Sequence, residues 1–214
     1  MPRVRLNAGM QWSAIVPVKA FATAKSRLDE DPDRRAALSF AFMSDVLAAL
    51  EASTLISQII VVSDDSGLSL PATTRVRVHA TRALGLNADI QEGLEQVGDA
   101  PVVVVAADLP CLTATAMDAV LKLAQALPRA FVTDTQGLGT TMLLDQDARQ
   151  STPRFGSRSH AQHIRADYHE IRSDDPATQA LLARARRDVD TAIDLWDAER
   201  MGVGQATRAV NPIR

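Results

Sequence analysis

Residues 101–108 read PVVVVAAD, a run of valine and alanine with no polar alternation. A strand apolar on both faces belongs in the middle of a parallel sheet, with helices covering each side. That run constrains the fold more than any other segment. WSAIVPV (12–18) and SQIIVVS (57–63) read as further apolar strands, and RVRVHA (75–80) as a weaker one. Helical patterns lie between them. Leu38, Phe42, Val46 and Leu50 recur at four-residue steps within 33–50, and LNADIQEGLEQV (86–97) is a second helix. Thr113 is placed to cap a third over 114–127, with Met117, Val120, Leu121, Ala124 and Leu127 inward. Strands follow at 129–134, 139–145 and 168–172, and helices at 157–166, 176–185 and 191–201. RRDVD reads as a short strand before the last of these helices. Such β-α-β alternation predicts an α/β fold with one mixed sheet.

A chain of 214 residues allows one domain with a substantial core. We place that domain at 12–201, after an extension over 1–11 and before a loosely ordered tail over 202–214. A formal charge of -3 argues against general nucleic-acid binding, and 4% aromatic residues against a base-stacking surface. Cys111 is the sole cysteine, which rules out an intrachain disulfide and agrees with a reducing cytoplasm. No apolar run approaches a signal or a membrane span, so no membrane partner is expected.

Three aspartates carry the most chemistry. Asp108 closes the apolar run, where open α/β sheets bind ligands at the carboxyl ends of their strands. Asp188 and Asp190 stand two apart and in a strand would share a face. Three hard oxygen ligands suit magnesium with a phosphate substrate. The plainer alternative is a turn at Asp108 and surface aspartates beside Arg186 and Arg187. Lys19, Lys25 and Arg27 lie in KAFATAKSRL, directly after the first strand. They read either as cations for a triphosphate or as a solvated basic loop. In RFGSRS, Gly156 permits tight backbone, Ser157 suits an N-cap and Ser159 adds a hydroxyl to the first turn. That motif reads as an anion site or as an ordinary capped helix. GLGTT (137–141) is either a wall of the same pocket or a hairpin.

Other chemistries are poorly served. There is no G-x-x-x-x-G-K-[ST] loop, and neither G-x-G pair has the third glycine of a dinucleotide fingerprint. His160 and His163 have no third zinc ligand nearby and read as structural or surface residues. Cys111 has no evident activating base.

The ordered set PVK…AKSRL, VVSDD, GLN, ADLP, GLGTT, RFGSRSHAQH and DVDT resembles the guanylyltransferases of coenzyme F-420 biosynthesis. These act on phosphoenolpyruvate, 2-phospholactate or 3-phosphoglycerate. The similarity runs from about Ile15 to Val210, and the ending DVDTAIDLWDAERMGVGQATRAV is most similar to the branch that uses phosphoenolpyruvate. The resemblance implies a single-domain, three-layer α/β/α fold of the nucleotide-diphospho-sugar transferase (glycosyltransferase-A-like) type, with a mixed, mostly parallel sheet. It implies GTP as co-substrate, Mg2+ as cofactor, a cytoplasmic location and small-molecule substrates. A homodimer and a transient contact with the downstream transferase are compatible with it. Carried over by motif, Thr140, Gly156 and Ser159 would bind the three-carbon phosphoacid, and Asp108, Asp188 and Asp190 the metal. Lys19, Lys25 and Arg27 would meet the GTP phosphates, with Asp64 and Asn87 as further nucleotide contacts. Two positions depart from the family pattern. Leu138 stands for the first threonine of GTGT, and Ala192 for the proline of DVDTP. Two other readings stand beside this one. A different nucleotidyltransferase is disfavoured by the lack of glycine in KAFATAKSRL, and a non-catalytic GTP-binding module by the retention of all three aspartates.

Overall fold

The valine run does sit at the centre of a sheet. The computed structural model describes residues 9–19, 28, 31–65, 67–70 and 73–212; Lys25 and Arg27 lie outside them. The described strands are β1 (Trp12–Val18), β2 (Ile56–Ser63), β3 (Val76–Ala80), β4 (Val102–Val105), β5 (Arg129–Thr133), β6 (Thr140–Asp145) and β7 (His169–Glu170). The α-helices are α1 (Pro32–Ala52), α2 (Leu86–Glu95), α3 (Ala114–Ala124), α4 (Ser159–Arg165), α5 (Pro176–Arg186), α6 (Ala192–Met201) and α7 (Gln205–Val210). The sheet order is β3-β2-β1-β4-β6-β5-β7. Strands β1 to β4 pair in parallel, β6 runs antiparallel to both β4 and β5, and β7 lies parallel to β5.

Both faces of β4 are buried, as its composition requires. Val103 and Val105 join the core beneath α1, α3 and α5, with Met43, Val46, Met117, Leu121 and Leu182. Val102 and Val104 join the opposite core, with Ile90 and Leu94 of α2, Phe131 and Tyr168. Each valine buried in this way contributes about 1.5–3 kcal/mol relative to exposure. Helix α2 seats directly on the sheet because Gly93 has no side chain. A Cβ there would lie 2.8 Å from Val62 Cγ1 and 3.1 Å from Ile15 Cγ2. Thr113 caps α3 as expected, its side chain accepting from the Ala116 N–H.

Three expectations are corrected. Residues 187–190 are not a strand; they run without ladder partners between α5 and α6. Ser157 is not the cap of α4. Arg158 holds that position at φ 55°, without a side-chain cap hydrogen bond, and the helix is only seven residues long. A helix so short and uncapped gives little of the dipole expected for an anion there. Nor is 202–214 loosely ordered over its described part. Val203 is buried in a third core with Leu38, Phe42, Val189, Leu195 and Ala198. Buried Asp45 of α1 accepts the N–H groups of Ala206 at 2.8 Å and Thr207 at 3.0 Å, capping α7 from a distant part of the chain. Gly204 is required by that approach, since a Cβ there would run into the Asp45 carboxyl group.

The cap gives a direct stability test. Asp45→Ala removes both acceptors and is expected to lower the unfolding free energy by about 2–3 kcal/mol in urea titrations. A loss below about 0.5 kcal/mol would show that apolar contacts alone hold the C-terminal helix.

Candidate active site

The mixed pairing gathers Lys19, Asp64, Asp108 and Thr140 at one end of the sheet. Lys19 follows β1 and Asp64 follows β2, both exposed at the carboxyl ends of parallel strands. Strand β4 ends at Val105, and Asp108 stands three residues on, in a turn rather than at the strand end. Because β6 runs the other way, its first residues meet that same turn. Val105 pairs with Met142, and the Ala106 N–H donates to the Thr141 carbonyl at 2.9 Å. Thr140 therefore begins its strand beside the Asp108 turn. The carboxyl end of β5 reaches this edge as well, with Thr133 opposite Thr140 and Asp134 next.

Tertiary hydrogen bonds bring in Asp188. Thr141 Oγ1 donates to the Ala185 carbonyl at 2.8 Å, and Thr135 Oγ1 to the Arg186 carbonyl at 2.9 Å, so the end of α5 is tied to β6 and its loop. The chain then turns tightly, with the Asp188 N–H on the Arg186 carbonyl at 3.1 Å. Val189 is fully buried and its N–H donates to the Asp108 carbonyl at 3.1 Å, pinning one aspartate segment to the other. Asp194 fixes the next bend by accepting from the Asp190 and Thr191 N–H groups at 3.2 and 2.8 Å.

The resulting carboxylates repel one another. Burial pushes the Asp188 carboxyl up to about 7, and the negative charges of Asp108, Asp134 and Asp190 add to the effect. The neighbouring arginines point elsewhere. Arg186 donates to the Ile171 carbonyl at 3.1 Å and meets Glu170 at 3.5 Å, and Arg187 reaches Asp197 at 3.5 Å. Asp108, Asp188 and Asp190 do not close into a ready-made cage. Among the described residues no group of three or more His, Cys, Asp or Glu is arranged to hold a metal ion by itself. Asp188 is half-buried and Asp190 exposed, because Val189 between them turns into the core.

The two glycine loops are held by residues that do not announce themselves. Asp134 accepts the N–H groups of Leu138 at 2.9 Å and Gly139 at 2.7 Å, with Gly137 at φ 72°, so its carboxylate shapes the GLGTT turn. The RFGSRS loop is clamped by Asn87. Its amide donates to the Phe155 carbonyl at 3.0 Å and accepts from the Phe155 N–H at 2.8 Å. Gly156 has φ 126°, which favours glycine there for backbone reasons alone. Ser159 is buried at the start of α4. His163 joins the loops: Thr140 Oγ1 lies 2.8 Å from Nδ1, and the Arg154 N–H 3.1 Å from Nε2. Burial, with the positive Arg154 and His160, lowers this imidazole to about 4. Cys111 is a core residue, its thiol pushed up to about 11 by burial.

The burial of Asp188, with its carboxylate neighbours, has a consequence for stability. An unfolded Asp188 titrates near 4, and in the fold near 7. Between those values the folded state binds the extra proton, so this contribution is fully present below about pH 4 and is lost as pH rises through 7. The span is worth on the order of 3 kcal/mol. With a chelator present, Asp188→Asn is expected to melt above the wild type at pH 8 and level with it at pH 4. A variant less stable at pH 8 would show that the carboxylate is held by favourable contacts instead.

Comparison with known proteins agrees with this geometry. The family described as Guanylyl transferase CofC like matches residues 12–203. The phosphoenolpyruvate guanylyltransferase of Streptomyces coelicolor is 38% identical over 209 residues, covering 94% of this chain and 96% of the relative. Phosphoenolpyruvate guanylyltransferase 2 of Rhodococcus jostii is 39% identical over 202 residues, covering 92% and 89%. Among solved structures, a Desulfovibrio desulfuricans G20 protein assigned to the nucleotide-diphospho-sugar transferases overlays with a TM-score of 0.59 at 18% identity, over 90% of this chain and 97% of that one. A 4-diphosphocytidyl-2C-methyl-D-erythritol synthase does so with a TM-score of 0.56 at 12% identity, over 90% and 98%. Those two likenesses establish the nucleotide-diphospho-sugar transferase fold, and the sequence relationships establish the narrower group: the chain belongs to the CofC-like guanylyl transferase family.

Proposed function

We propose that this nucleotidyltransferase moves the GMP group of GTP onto the phosphate of phosphoenolpyruvate, giving enolpyruvoyl-2-diphospho-5'-guanosine and pyrophosphate. The observation that carries the reading is one juxtaposition. The carboxylate cluster around Asp188 shares a sheet edge with two loops, GLGTT and RFGSRS, joined through His163. The names of the relatives support the choice of acceptor.

An oxygen of the acceptor phosphate attacks the α-phosphorus of GTP, and the bond to the β-phosphate bridging oxygen breaks. A phosphate monoester is already largely a dianion near pH 7, with a second pKa of roughly 6. No general base is needed, and His163, with both ring nitrogens engaged, is not placed to be one. The task left to the chain is to align two polyanions. Thr140, Gly156 and Ser159 would hold the phosphoacid. Lys19, at the end of β1, would meet the triphosphate together with Lys25 and Arg27, and Asp64 at the end of β2 would face the guanine. Asn87, whose amide clamps Phe155, would meet the nucleotide with the hydrogen-bonding capacity that clamp leaves over.

The donor set suits magnesium. All its members are hard carboxylate oxygens, and the burial and neighbouring negative charges that raise Asp188 both disfavour an ionised carboxylate, which a divalent cation would relieve. Magnesium is ordinarily held by one or two carboxylates plus substrate phosphates. Asp108 and Asp188, with Asp190, would therefore hold it jointly with the triphosphate. When bound, the ion would supply charge neutralisation and Lewis-acid polarisation at the α-phosphate. The reading also places the chain in coenzyme F-420 biosynthesis in the cytoplasm, handing its product to a downstream transferase.

Pyrophosphate release from GTP and magnesium tests the proposal, with phosphoenolpyruvate, 2-phospholactate and 3-phosphoglycerate offered separately. Turnover is expected with phosphoenolpyruvate. Turnover with only one of the others would reassign the acceptor, and silence with all three in protein that binds GTP would favour a binding module. Ser159→Ala is expected to raise the acceptor KM about tenfold while leaving the GTP KM within about twofold. The opposite pattern would assign Ser159 to the nucleotide.

A further inference from the structure

We infer that His163 is a positioning residue that fixes the hydrogen-bond polarity of the Thr140 hydroxyl, reserving its proton for an anionic acceptor; the inference rests on the acceptor site proposed above. The argument starts from a group that cannot change sides. A backbone N–H only donates, and that of Arg154 points at Nε2 of His163 at 3.1 Å. Nε2 must therefore present its lone pair. A neutral imidazole then carries its one proton on Nδ1, which lies 2.8 Å from Thr140 Oγ1. This assignment follows from the hydrogen-bond network. The imidazole donates and the hydroxyl accepts, so the hydroxyl hydrogen cannot point back at the ring. It is left for whatever lies on the open side of Thr140, which is only half-buried at the start of β6.

The alternatives are closed by the surroundings. The ring is fully buried and packed against Phe131, Phe155 and Tyr168, with ring centroids 5.9, 5.5 and 5.5 Å away. A flip would exchange ring nitrogen for ring carbon at both hydrogen bonds. Protonation would set an Nε2–H against the Arg154 N–H, and the low basicity of this imidazole agrees with its staying neutral. The polarity matters because carboxylates and phosphate dianions only accept. A Thr140 hydroxyl that donated to the ring would show such an anion its lone pairs. The same imidazole also ties the start of β6 to the 154–156 loop, and Asn87 locks the following residue, Phe155. Two acceptor-binding segments thus depend on one tautomer.

The test begins with the wild-type protein. Long-range proton–nitrogen correlation of 15N-histidine-labelled protein at pH 7.5 is expected to show His163 with its proton on Nδ1. The other histidines, His79, His160 and His169, are assigned by their glutamine variants. A proton on Nε2, an imidazolium or a tautomer average would overturn the inference. The second arm is a double-variant cycle in the pyrophosphate-release assay. Thr140→Val and His163→Asn are each expected to raise the acceptor KM about tenfold with the GTP KM within about twofold, and Thr140→Ser to stay near the wild type. The double variant should be no worse than the poorer single. A double effect equal to the product of the singles would mean independent roles and sink the idea. Absence of wild-type turnover with every phosphoacid would overturn the acceptor reading instead, and the tautomer measured on the same sample would still decide the polarity.

Discussion

Strand β6 runs against β4, and that reversal is what the site depends on. In a purely parallel sheet only carboxyl ends of strands meet at the ligand edge. Here the amino end of β6 meets the carboxyl end of β4, with Val105 opposite Met142 and the Ala106 N–H on the Thr141 carbonyl. The Asp108 turn and a hydroxyl-bearing strand start are brought side by side by main-chain bonds alone. Strand β5, antiparallel again, brings Asp134 to the same place. The apolar β4, buried on both faces, makes this pairing rigid.

The carboxylate cluster works against the fold that holds it. Asp188 is kept near three other negative charges by hydrogen bonds from Thr135 and Thr141 to the end of α5 and by the Val189–Asp108 link. None of those bonds touches a carboxylate; they act on the backbone and on the chain that carries Asp188. Such a site is costly for the protein alone, and the proposed cation and polyphosphate would offset that cost.

A second layer of polar residues holds the backbone of the loops. Asp134 shapes one loop, Asn87 clamps another, and His163 connects them. Sequence reading looked for groups that meet ligand and gave neither Asn87 nor Asp134 a part in shaping a loop, while its structural reading of His163 agrees with that residue's burial. Asp134, four and five residues before the amides it accepts, carried a turn signal that could have found it. His163 carried none, because its partners, Thr140 and the Arg154 amide, are defined only by folding.

By itself the sequence determined the order of elements through the fifth helix, the double burial of β4, the cap at Thr113 and the family. These are local or compositional properties: periodicity, capping and motif spacing are written along the chain. Only the tertiary structure decided that 187–190 is an unpaired bend, that Arg158 begins α4, and that 205–210 is a docked helix. The docking rests on Asp45, some 160 residues away. It also decided that the two families of loops meet at one edge and that Asp188 sits among like charges. Coulomb repulsion, burial and a hydrogen bond's direction depend on distances across the fold, which no local pattern carries.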